Sequence, residues 1–416
     1  MSKVSAENNF RLRRLQIATQ TGPVNLSSNH LLELHYIEDI TKSNTIVAVT
    51  INDTETAIVS QLYGLEQVFI EFEDHKENRF AASLVIYDIK DRMVVSGKKM
   101  KATLYMISPD AVNNSALKIS ERFGKGSGES ASDIVEDLVS NSGRFIKSIK
   151  PIDVEKSSTK ISFISPYWDP FTIISWLAWR AIPEKGSSKD VSAGYLFYET
   201  PGSYHFKAMD SLVQQDVVKT IRVNYQDDGL DSADDYIDVE TLTITGTSDV
   251  FRGMNLGSYT SVTYTLDMKD FSYEEIPYNV NEYYKEMNKL NDSELPEFYK
   301  LFGEDSENSS PTRIMAKVLD TAMYTEGTYT QDLTKQLSQA MIRNQFFFNQ
   351  SATFEYEGTI NLEIGQVVEV QSYAGKSLEK DSAQSGKYIV GKIYRQFVTE
   401  RDMMSTRVTI YRDSLG

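Results

Sequence analysis

The sequence predicts a mainly β protein with α+β insertions, made of two small antiparallel β-barrels, a mixed α/β middle domain and a helical segment. Three observations support this prediction. The 416 residues exceed what one hydrophobic core usually organises, so two to four folded units are expected. Short alternating runs of apolar and polar residues, bounded by turn signals, fill both ends of the chain. Capped helical patterns lie between them.

These patterns divide the chain into six consecutive segments. The segments are an N-terminal arm at 1–29, a first β-barrel domain at 30–110, a mixed α+β domain at 111–215, the first part of a second β-barrel at 216–275, a helical insertion at 276–345 and the C-terminal part of the second barrel at 346–416. The second barrel is therefore expected to be interrupted in sequence by the insertion.

The first two segments differ in pattern. Residues 1–29 are polar and irregular, with one basic cluster at Arg11, Arg13 and Arg14. This is typical of a loosely ordered tail, and an arm docked on a neighbour is the alternative. From residue 30 onward the apolar runs are short and β-like. They occupy residues 46–51, 68–72, 84–89 and 103–106. Several short strands at this spacing predict a small antiparallel barrel or sandwich.

The middle domain carries two helix signals. Ser130 and Asp133 resemble a capping box at the start of one helix. Asp169 is the predicted N-cap of a second helix, with Pro170 as its first residue and an apolar run that continues to Pro183. The aromatic runs that follow, on either side of a Pro-Gly turn, predict a β-hairpin.

The end of the chain gives the clearest strand pattern. Thr406, Val408 and Ile410 alternate with residues expected to face water, so that one face of this strand is apolar. Gly386 and Tyr388 begin the strand before it. Together the two segments predict a closing hairpin.

Composition and motifs exclude most catalytic chemistries. The chain has no cysteine, which excludes disulfides, thiolate metal sites and a cysteine nucleophile. None of the histidines has a metal-binding spacing, and no G-x-S-x-G motif occurs. The glycine-rich fragment at 124–128 and the Gly-Lys-Ser sequence at 375–377 each lack the rest of a phosphate-binding motif. We therefore predict no catalytic, cofactor-binding or metal-binding residues, no cofactor and no enzymatic activity. The four histidines are His30, His35, His75 and His205.

Charge and hydropathy limit the possible partners. A net charge of −16 repels phosphate, so sequence-independent binding of nucleic acid is not expected. The longest apolar run, residues 171–182, is interrupted by polar residues and is shorter than the roughly 20 residues that span a bilayer. The first residues lack the apolar core of a signal peptide. We expect a protein made in the cytoplasm, with no membrane insertion.

Three separated stretches, together roughly half of the chain, carry a shared pattern of strands and turns. The first opens at Pro170-Phe171 and continues through an aromatic hairpin, and the second contains Gly257 and Tyr259 before a tyrosine-rich strand. The third runs from residue 340 to the C-terminus. Its marker positions are Gly358, Gly365, Gly386, Tyr388, Arg412 and Asp413. In this order the stretches resemble the baseplate central hub proteins of contractile-tailed bacteriophages. One departure is Arg395, where relatives often have a histidine.

The resemblance implies a structural protein of the virion, located in the tail baseplate and assembled in the host cytoplasm. It implies a homotrimeric ring in which each chain contributes two β-barrel tube domains, so that three chains present six barrels to the tail tube. The implied partners are the tail tube protein, the central spike protein and baseplate wedge or sheath-proximal proteins. Three copies would carry a charge of −48, three times −16, which suits a lumen through which DNA passes without specific binding.

Alternatives from other classes remain open from the sequence alone. A spike-hub of a bacterial contractile injection or secretion system would share the architecture. A tail-associated cell-wall lysin needs only two carboxylates, which 59 acidic residues supply without a recognisable motif. A carbohydrate-binding receptor protein is the third alternative.

Overall fold

The computed structural model describes most of the chain, and the structural statements below concern the described residues. These are 11–27, 29–53, 58–74, 77–95, 99–185, 192–224, 235–246, 250–291, 311–319, 333–348, 350–357, 361–373, 384–399 and 403–414. They form a mainly β structure whose buried apolar side chains gather into four cores.

The first core is enclosed by the first seven strands of the chain. The strands are β1 (Arg11–Thr19), β2 (Gly22–Asn25), β3 (Leu31–Asp39), β4 (Ile46–Asp53), β5 (Gln67–Glu73), β6 (Arg79–Val95) and β7 (Lys99–Ile107). Their spatial order is β3-β4-β7-β6-β5-β1-β2, and every pairing is antiparallel. Val47, Val49 and Ile51 of β4 are fully buried, as the period-two pattern predicts. The predicted strands at 46–51, 68–72, 84–89 and 103–106 are therefore confirmed.

A mixed unit with its own core follows, from residue 109 to residue 213. Its elements are α1 (Pro109–Ala116), β8 (Arg122–Phe123), β9 (Glu129–Ser130), α2 (Ala131–Val139), β10 (Ile152–Val154), β11 (Lys160–Ile161), β12 (Phe163–Ile164), α3 (Pro170–Ala178), β13 (Tyr195–Glu199), β14 (Tyr204–Ala208) and α4 (Met209–Val213). Both predicted helix caps are present. The Ser130 side chain accepts a hydrogen bond from the Asp133 backbone N–H at 3.1 Å, and Asp169 accepts one from Thr172 at 2.9 Å.

Helix α3 is shorter than predicted. It ends at Ala178 rather than continuing toward Pro183. The chain turns after Trp179, and the Ile182 N–H, which a longer helix would direct to the Ala178 carbonyl, donates instead to the Thr159 hydroxyl at 3.1 Å. Pairing with a neighbouring segment thus ends the helix before the proline does.

The third core lies within the strands of the second half of the chain. They are β15 (Val217–Val223), β16 (Tyr236–Val239), β17 (Leu242–Gly246), and, after an inserted unit, β21 (Gln350–Glu357), β22 (Val367–Ser372), β23 (Gly386–Val398) and β24 (Met403–Arg412). Strand β15 is parallel to both of its neighbours, β16 and β22. The other pairings, β22-β23-β24-β21-β17, are antiparallel.

The inserted unit has the fourth core. Its elements are α5 (Val250–Leu256), β18 (Thr260–Asp267), β19 (Tyr273–Asn279), α6 (Val280–Tyr283), β20 (Arg313–Leu319) and α7 (Leu333–Phe347). The strands form a separate sheet in the order β19-β18-β20, and Phe346 of α7 belongs to its core. Within the described parts of the chain, no helix has the length and apolar composition needed to cross a membrane.

Strand β23 joins the first and third cores into one fourteen-stranded sheet. Its first residues pair with β22, and its last seven, from Lys392 onward, pair with β3. The change of partner occurs at Gly391, where the register with β24 shifts by one residue. Ile389 therefore packs in the third core while Phe397 packs in the first. A single strand thus serves two cores.

The structure corrects the prediction that residues 1–29 are irregular. Among the described ones, residues 11–19 and 22–25 form β1 and β2, and β1 pairs with β5. Leu15 and Ile17 point into the first core, where they are almost fully buried. The prediction failed because the outward-facing arginines dominate the composition and hide the two inward-facing apolar residues.

The structure also corrects two predictions about the second half. Residues 260–267, assigned from the sequence to the second barrel, form β18 of the inserted sheet, and the insertion at 276–345 contains strands β19 and β20 as well as helices. In β20, both sets of alternating residues include apolar side chains, such as Ile314 and Met315. The two-residue period is therefore obscured there.

Candidate assembly interface

One face of the large sheet is mainly polar across both lobes, although Ile37, Ile46 and Ile107 also lie on it. Strands β21, β24, β23, β3, β4 and β7 lie side by side, and their register aligns outward residues in rows. We call this surface the polar face. Its residues include Glu33, His35, Asp39, Thr50, Thr103, Tyr105, Thr353, Glu355, Lys392, Tyr394, Gln396, Arg407 and Thr409.

The polar face follows from strict alternation along each strand. In β23, Lys392, Tyr394 and Gln396 are half-buried, while Ile393 and Phe397 on the opposite face are fully or almost fully buried. Strands β3 and β24 alternate in the same way. Since the side-chain period of a strand is two, matched alternation in adjacent strands gives one continuous wet surface.

Side chains on the polar face bond across strands. Arg407 donates to Glu355, and Gln396 donates to Glu33. His35 of β3 has two polar neighbours. Its Nδ1 contacts the Tyr394 hydroxyl of β23, and its Nε2 is 3.1 Å from a carboxylate oxygen of Glu33 in its own strand. Partial burial raises the pKa of Tyr394 above its usual value, and the nearby Glu33 charge adds a smaller rise. These cross-strand pairs stabilise the face, and its charged groups bind one another.

Behind the polar face, a buried ion pair lies where the two lobes meet. The Arg395 guanidinium donates to Glu38 and, at 2.8 Å, to the Leu362 carbonyl. It also lies 5.9 Å from the ring centroids of Tyr36 and Phe80, which belong to the first core. Burial raises the pKa of Glu38, and the guanidinium opposes that rise. Arg395, the departure noted in the sequence, therefore connects the two lobes.

The mixed unit is attached to the same region. The buried Glu199 carboxylate of β13 accepts a hydrogen bond from the Thr45 backbone N–H at 2.7 Å, next to the start of β4. Lys150 donates to the other Glu199 oxygen and, at 3.2 Å, to the Thr200 carbonyl. The carboxylate is thus neutralised while it fixes the mixed unit to the β3–β4 connection.

A wide cleft lies at one end of the polar face. Its volume is about 1010 Å³, and it is bounded by β16, β17, β21 and β24. Four carboxylates line it, together with one guanidinium, that of Arg407, and a row of threonines. The carboxylates are Asp238, Glu240, Glu355 and Glu357. Asp238 receives two hydrogen bonds from the buried Arg222 side chain, at 2.6 and 2.8 Å.

The predicted marker positions lie away from the polar face. Pro170 and Phe171 begin α3, and Phe171 packs against Phe197 and Tyr204 in the core of the mixed unit. Gly257 and Tyr259 precede β18 in the inserted unit, where Tyr259 is fully buried. These four positions stabilise separate units and are not brought together.

The C-terminal markers do converge. The Arg412 guanidinium lies 4.8 Å from the Tyr388 ring centroid and donates to the Ser385 carbonyl at 3.1 Å, next to Gly386. Burial lowers the pKa of Arg412.

Two further C-terminal markers fix neighbouring segments. The Gly365 N–H donates to the Val390 carbonyl at 2.8 Å, while Asp413 accepts a hydrogen bond from the Leu290 N–H at 3.2 Å and links the inserted unit to the third core. Gly358 lies outside the described residues.

The sequence did not single out the polar face. Its residues come from strands at opposite ends of the chain, such as Glu33 and Gln396, and only sheet pairing brings them together. A signal was nevertheless present, because β3 and β23 each alternate polar and apolar residues. Within the described parts of the chain, no group of three or more histidine, cysteine or acidic residues has the geometry of a metal site.

Comparison with known proteins finds similarity in structure but not in sequence. No family model matches the chain. No curated protein matches its sequence. A tail protein from Neisseria meningitidis MC58 superposes with a TM-score of 0.58 at 10% identity, over 97% of each chain. The 43 kDa tail protein of prophage MuSo2 from Shewanella oneidensis gives 0.52 at 8% identity, over 96% of this chain and 98% of that one.

A chain of the Francisella PdpA–VgrG complex is also similar. It gives a TM-score of 0.53 at 10% identity, over 99% of this chain and 59% of that one. At such identities the likeness concerns the fold. The chain has the fold of phage tail proteins, and the resemblance inferred from its sequence is confirmed at that level.

Proposed function

We propose that this chain is the structural subunit of a trimeric baseplate hub in a contractile phage tail. In this role it adapts a sixfold tail tube to a threefold central spike and surrounds the passage for DNA. The observation that carries the proposal is the continuous sheet, which curls around two cores in one chain and presents one polar face across both. The whole-chain likeness to two tail proteins supports it.

Two barrels per chain would allow a trimer to match a sixfold partner. In the second lobe, β16 and β17 end the strand order β16-β15-β22-β23-β24-β21-β17, and only Glu240 and Thr241 separate them in sequence. This short connection brings the end of one edge strand close to the start of the other, which favours a closed barrel. The first lobe wraps seven strands around its own core. Three copies would then present six similar lobes to a sixfold partner.

We divide the chain by its cores rather than by composition. The first barrel takes residues 11–107, and the mixed unit takes 109–213. The second barrel takes 217–246 and 350–412, with the inserted unit at 250–347 between them. The remaining partners in this proposal are the tail tube protein, the central spike protein and the wedge or sheath-proximal proteins, all within the virion tail.

The polar face is the surface that we assign to the passage. A continuous curved surface that is mainly polar suits a wet wall, because a large apolar patch there would attract other proteins. Its charges are largely paired on the same face, as in Glu355 with Arg407. A net charge of −16 per chain disfavours adhesion of DNA.

Light scattering on the purified protein tests the trimer. We expect about 142 kDa, three times 47.2 kDa, and electron micrographs of rings with six lobes around a central hole. A particle that remains monomeric or dimeric at high concentration contradicts the proposal. A zymogram on peptidoglycan tests the proposed lack of enzymatic activity, and a cleared band contradicts it.

A hub of a bacterial contractile injection or secretion system is the second candidate. The likeness to a chain of the PdpA–VgrG complex favours it. Mass spectrometry of particles released by the producing strain separates the two candidates. Co-purification with capsid and tail proteins supports the phage hub, whereas recovery in a contractile apparatus without capsid protein supports the second.

A further inference from the structure

The sheet of the inserted unit, β19-β18-β20, has an apolar face turned away from α7. On the α7 side, Tyr278 and Met315 share a core with Ile342 and Phe346 of that helix. Directly paired residues of neighbouring strands lie on the same face, so the opposite side chains form three rows. We call this opposite surface the apolar face. Its rows are Tyr273-Leu266-Val318, Glu275-Tyr264-Ala316 and Pro277-Val262-Ile314.

The apolar face is open to solvent. The exposed fractions of Tyr273, Ile314 and Val318 are 65%, 65% and 67%. Eight of the nine positions carry apolar or aromatic side chains, and Glu275 is the one charged residue among the nine. The face of the large sheet that meets water is, in contrast, mainly polar. Exposed apolar side chains grouped on one surface mark a binding site.

The size of the apolar face suits one secondary-structure element of a partner. Three strands about 4.8 Å apart and three rows about 6.8 Å apart cover roughly 14 by 20 Å. A stable interface between two folded proteins takes about 800 Å² from each of them, which is more than this face supplies. A single helix is about 10 Å wide, and about 14 of its residues span the length of the face. The dimensions therefore favour one helix over a second copy of the chain.

The strand directions also favour a helix. Strands β18 and β20 are parallel, and parallel sheets are typically covered by helices on both faces. Helix α7 covers one face of this sheet. A helix on the apolar face would complete the second layer.

The charges beside the apolar face favour a basic partner. Glu275 lies in the middle row, opposite Tyr264. Residues 267–275 carry four carboxylates and one lysine. Met268 and Phe271, in the turn between β18 and β19, are exposed and extend the apolar surface toward these charges. Lysine or arginine side chains on a bound helix would therefore meet opposite charge.

We propose that the apolar face binds an amphipathic helix of a partner protein, with the apolar side of the helix across the three rows and a lysine or arginine opposite Glu275. Such a helix presents apolar residues three and four positions apart, which gives a stripe of the required width. The inference goes beyond the hub role proposed above. It concerns the surface of one chain and holds with or without a trimer.

Two synthetic helical peptides test the proposal on the full-length protein. Each has about 14 residues, with leucines along one side and either lysines or glutamates along the other. Fluorescence anisotropy measures binding of the labelled peptides. We expect the lysine peptide to bind at least about tenfold more tightly than the glutamate peptide, and Glu275→Lys to reduce or reverse this preference.

Removing apolar surface separates the proposed contact from general attraction to an acidic protein. We expect Ile314→Ser with Val318→Ser to weaken binding of the lysine peptide by at least about tenfold, because the rows lose their most exposed side chains. The control is Tyr63→Ser with Ile149→Ser, which removes two exposed apolar side chains from the first lobe and the mixed unit and should leave binding unchanged. Circular dichroism melting identifies any variant that fails to fold. Equal binding by the two double variants overturns the proposal.

Photo-crosslinking from the apolar face identifies the natural partner. The full-length protein carries p-benzoylphenylalanine in place of Val318, and particles assembled with it are irradiated. We expect mass spectrometry to map the crosslink to an amphipathic, lysine- or arginine-containing helix of another protein. A crosslink within the chain, to a second copy or to a segment without that pattern overturns the proposal, as does the absence of a crosslink. Light scattering tests the trimer separately, so loss of peptide binding leaves the hub role standing, and a monomer that binds the peptide leaves this inference standing.

Discussion

Gly391 shows how one residue allows a strand to serve two cores. A Cβ atom at this position would lie 2.1 and 2.2 Å from the Cε2 and Cδ2 atoms of the Tyr411 ring. The Gly391 carbonyl also accepts a hydrogen bond from the Ile40 N–H at 2.8 Å, at the end of β3. The residue lies at the register shift of β23, so close packing and the change of partner strand occur at the same place.

We predict that Gly391→Ala destabilises the fold. The methyl group must displace the Tyr411 ring or the backbone, at a cost of roughly 1–3 kcal/mol in the free energy of unfolding. Chemical denaturation measures the change. Gly202→Ala is the matched control, because a Cβ there meets no atom within 4 Å. Equal losses of stability for the two substitutions contradict the conclusion that close packing against Tyr411 requires glycine at position 391.

His205 gives a pH dependence with a definite sign. Burial lowers its pKa below the ordinary value of 6.5, while the nearby Asp153 carboxylate opposes the shift. Its Nε2 is 2.8 Å from the Ser203 hydroxyl, and its ring stacks on Tyr198 at 4.9 Å. As the pH falls below 6.5, the unfolded chain takes up the proton first, so stability declines until the pH passes the folded pKa.

We therefore predict that His205→Gln removes one component of the loss of stability below pH 6.5. The measurement is the free energy of unfolding of both proteins from pH 8 to pH 5. The difference between them should change with pH only below the ordinary histidine value. A constant difference across the whole range means that His205 does not titrate differently in the folded state.

At the scale of elements, α7 holds three parts of the chain together. Its Arg343 side chain, 3% exposed, lies 3.8 Å from the Asp210 carboxylate of the mixed unit and 3.6 Å from that of Asp413. It also donates to the Asn288 carbonyl. One buried cation thus compensates two buried carboxylates from different units.

We predict that Arg343→Met costs about 3–5 kcal/mol, because it leaves two carboxylates in the interior without their cation. The loss is measured by chemical denaturation. The triple variant Arg343→Met, Asp210→Asn, Asp413→Asn removes the charges together and should recover part of it. A triple variant less stable than the single variant contradicts the charge explanation.

The individual strands also show which parts of the fold can be predicted from the sequence. Strands β4 to β7 and the closing hairpin were predictable because one face of each is apolar and the period is regular. Strand β1 was missed because its two fully buried residues, Leu15 and Ile17, are outnumbered by its polar ones. The polar face was not predictable as a site, because sheet pairing across more than 350 residues of sequence, as between His35 and Gln396, decides which polar residues are neighbours.

At the scale of the whole molecule, the polar face and the net charge both affect whether DNA adheres to the protein. The chain carries −16, and the carboxylates of the face pair with neighbours on the same sheet. A surface of this kind wets readily and offers a phosphate backbone few cations. If three copies enclose it, its charge acts inside a narrow space, where fields are stronger than on an open surface.

The final prediction follows from that enclosure. Glu33→Lys with Glu355→Lys adds four charges per chain to the polar face, and we expect the trimer to retain short duplex DNA that the wild type does not bind. Asp133→Lys with Glu136→Lys adds the same charge on exposed positions of α2 and serves as the control. Retention at low salt should be at least about tenfold stronger for the first variant and should fall steeply as salt rises. Equal retention by the two variants would mean that the polar face does not line an enclosed passage.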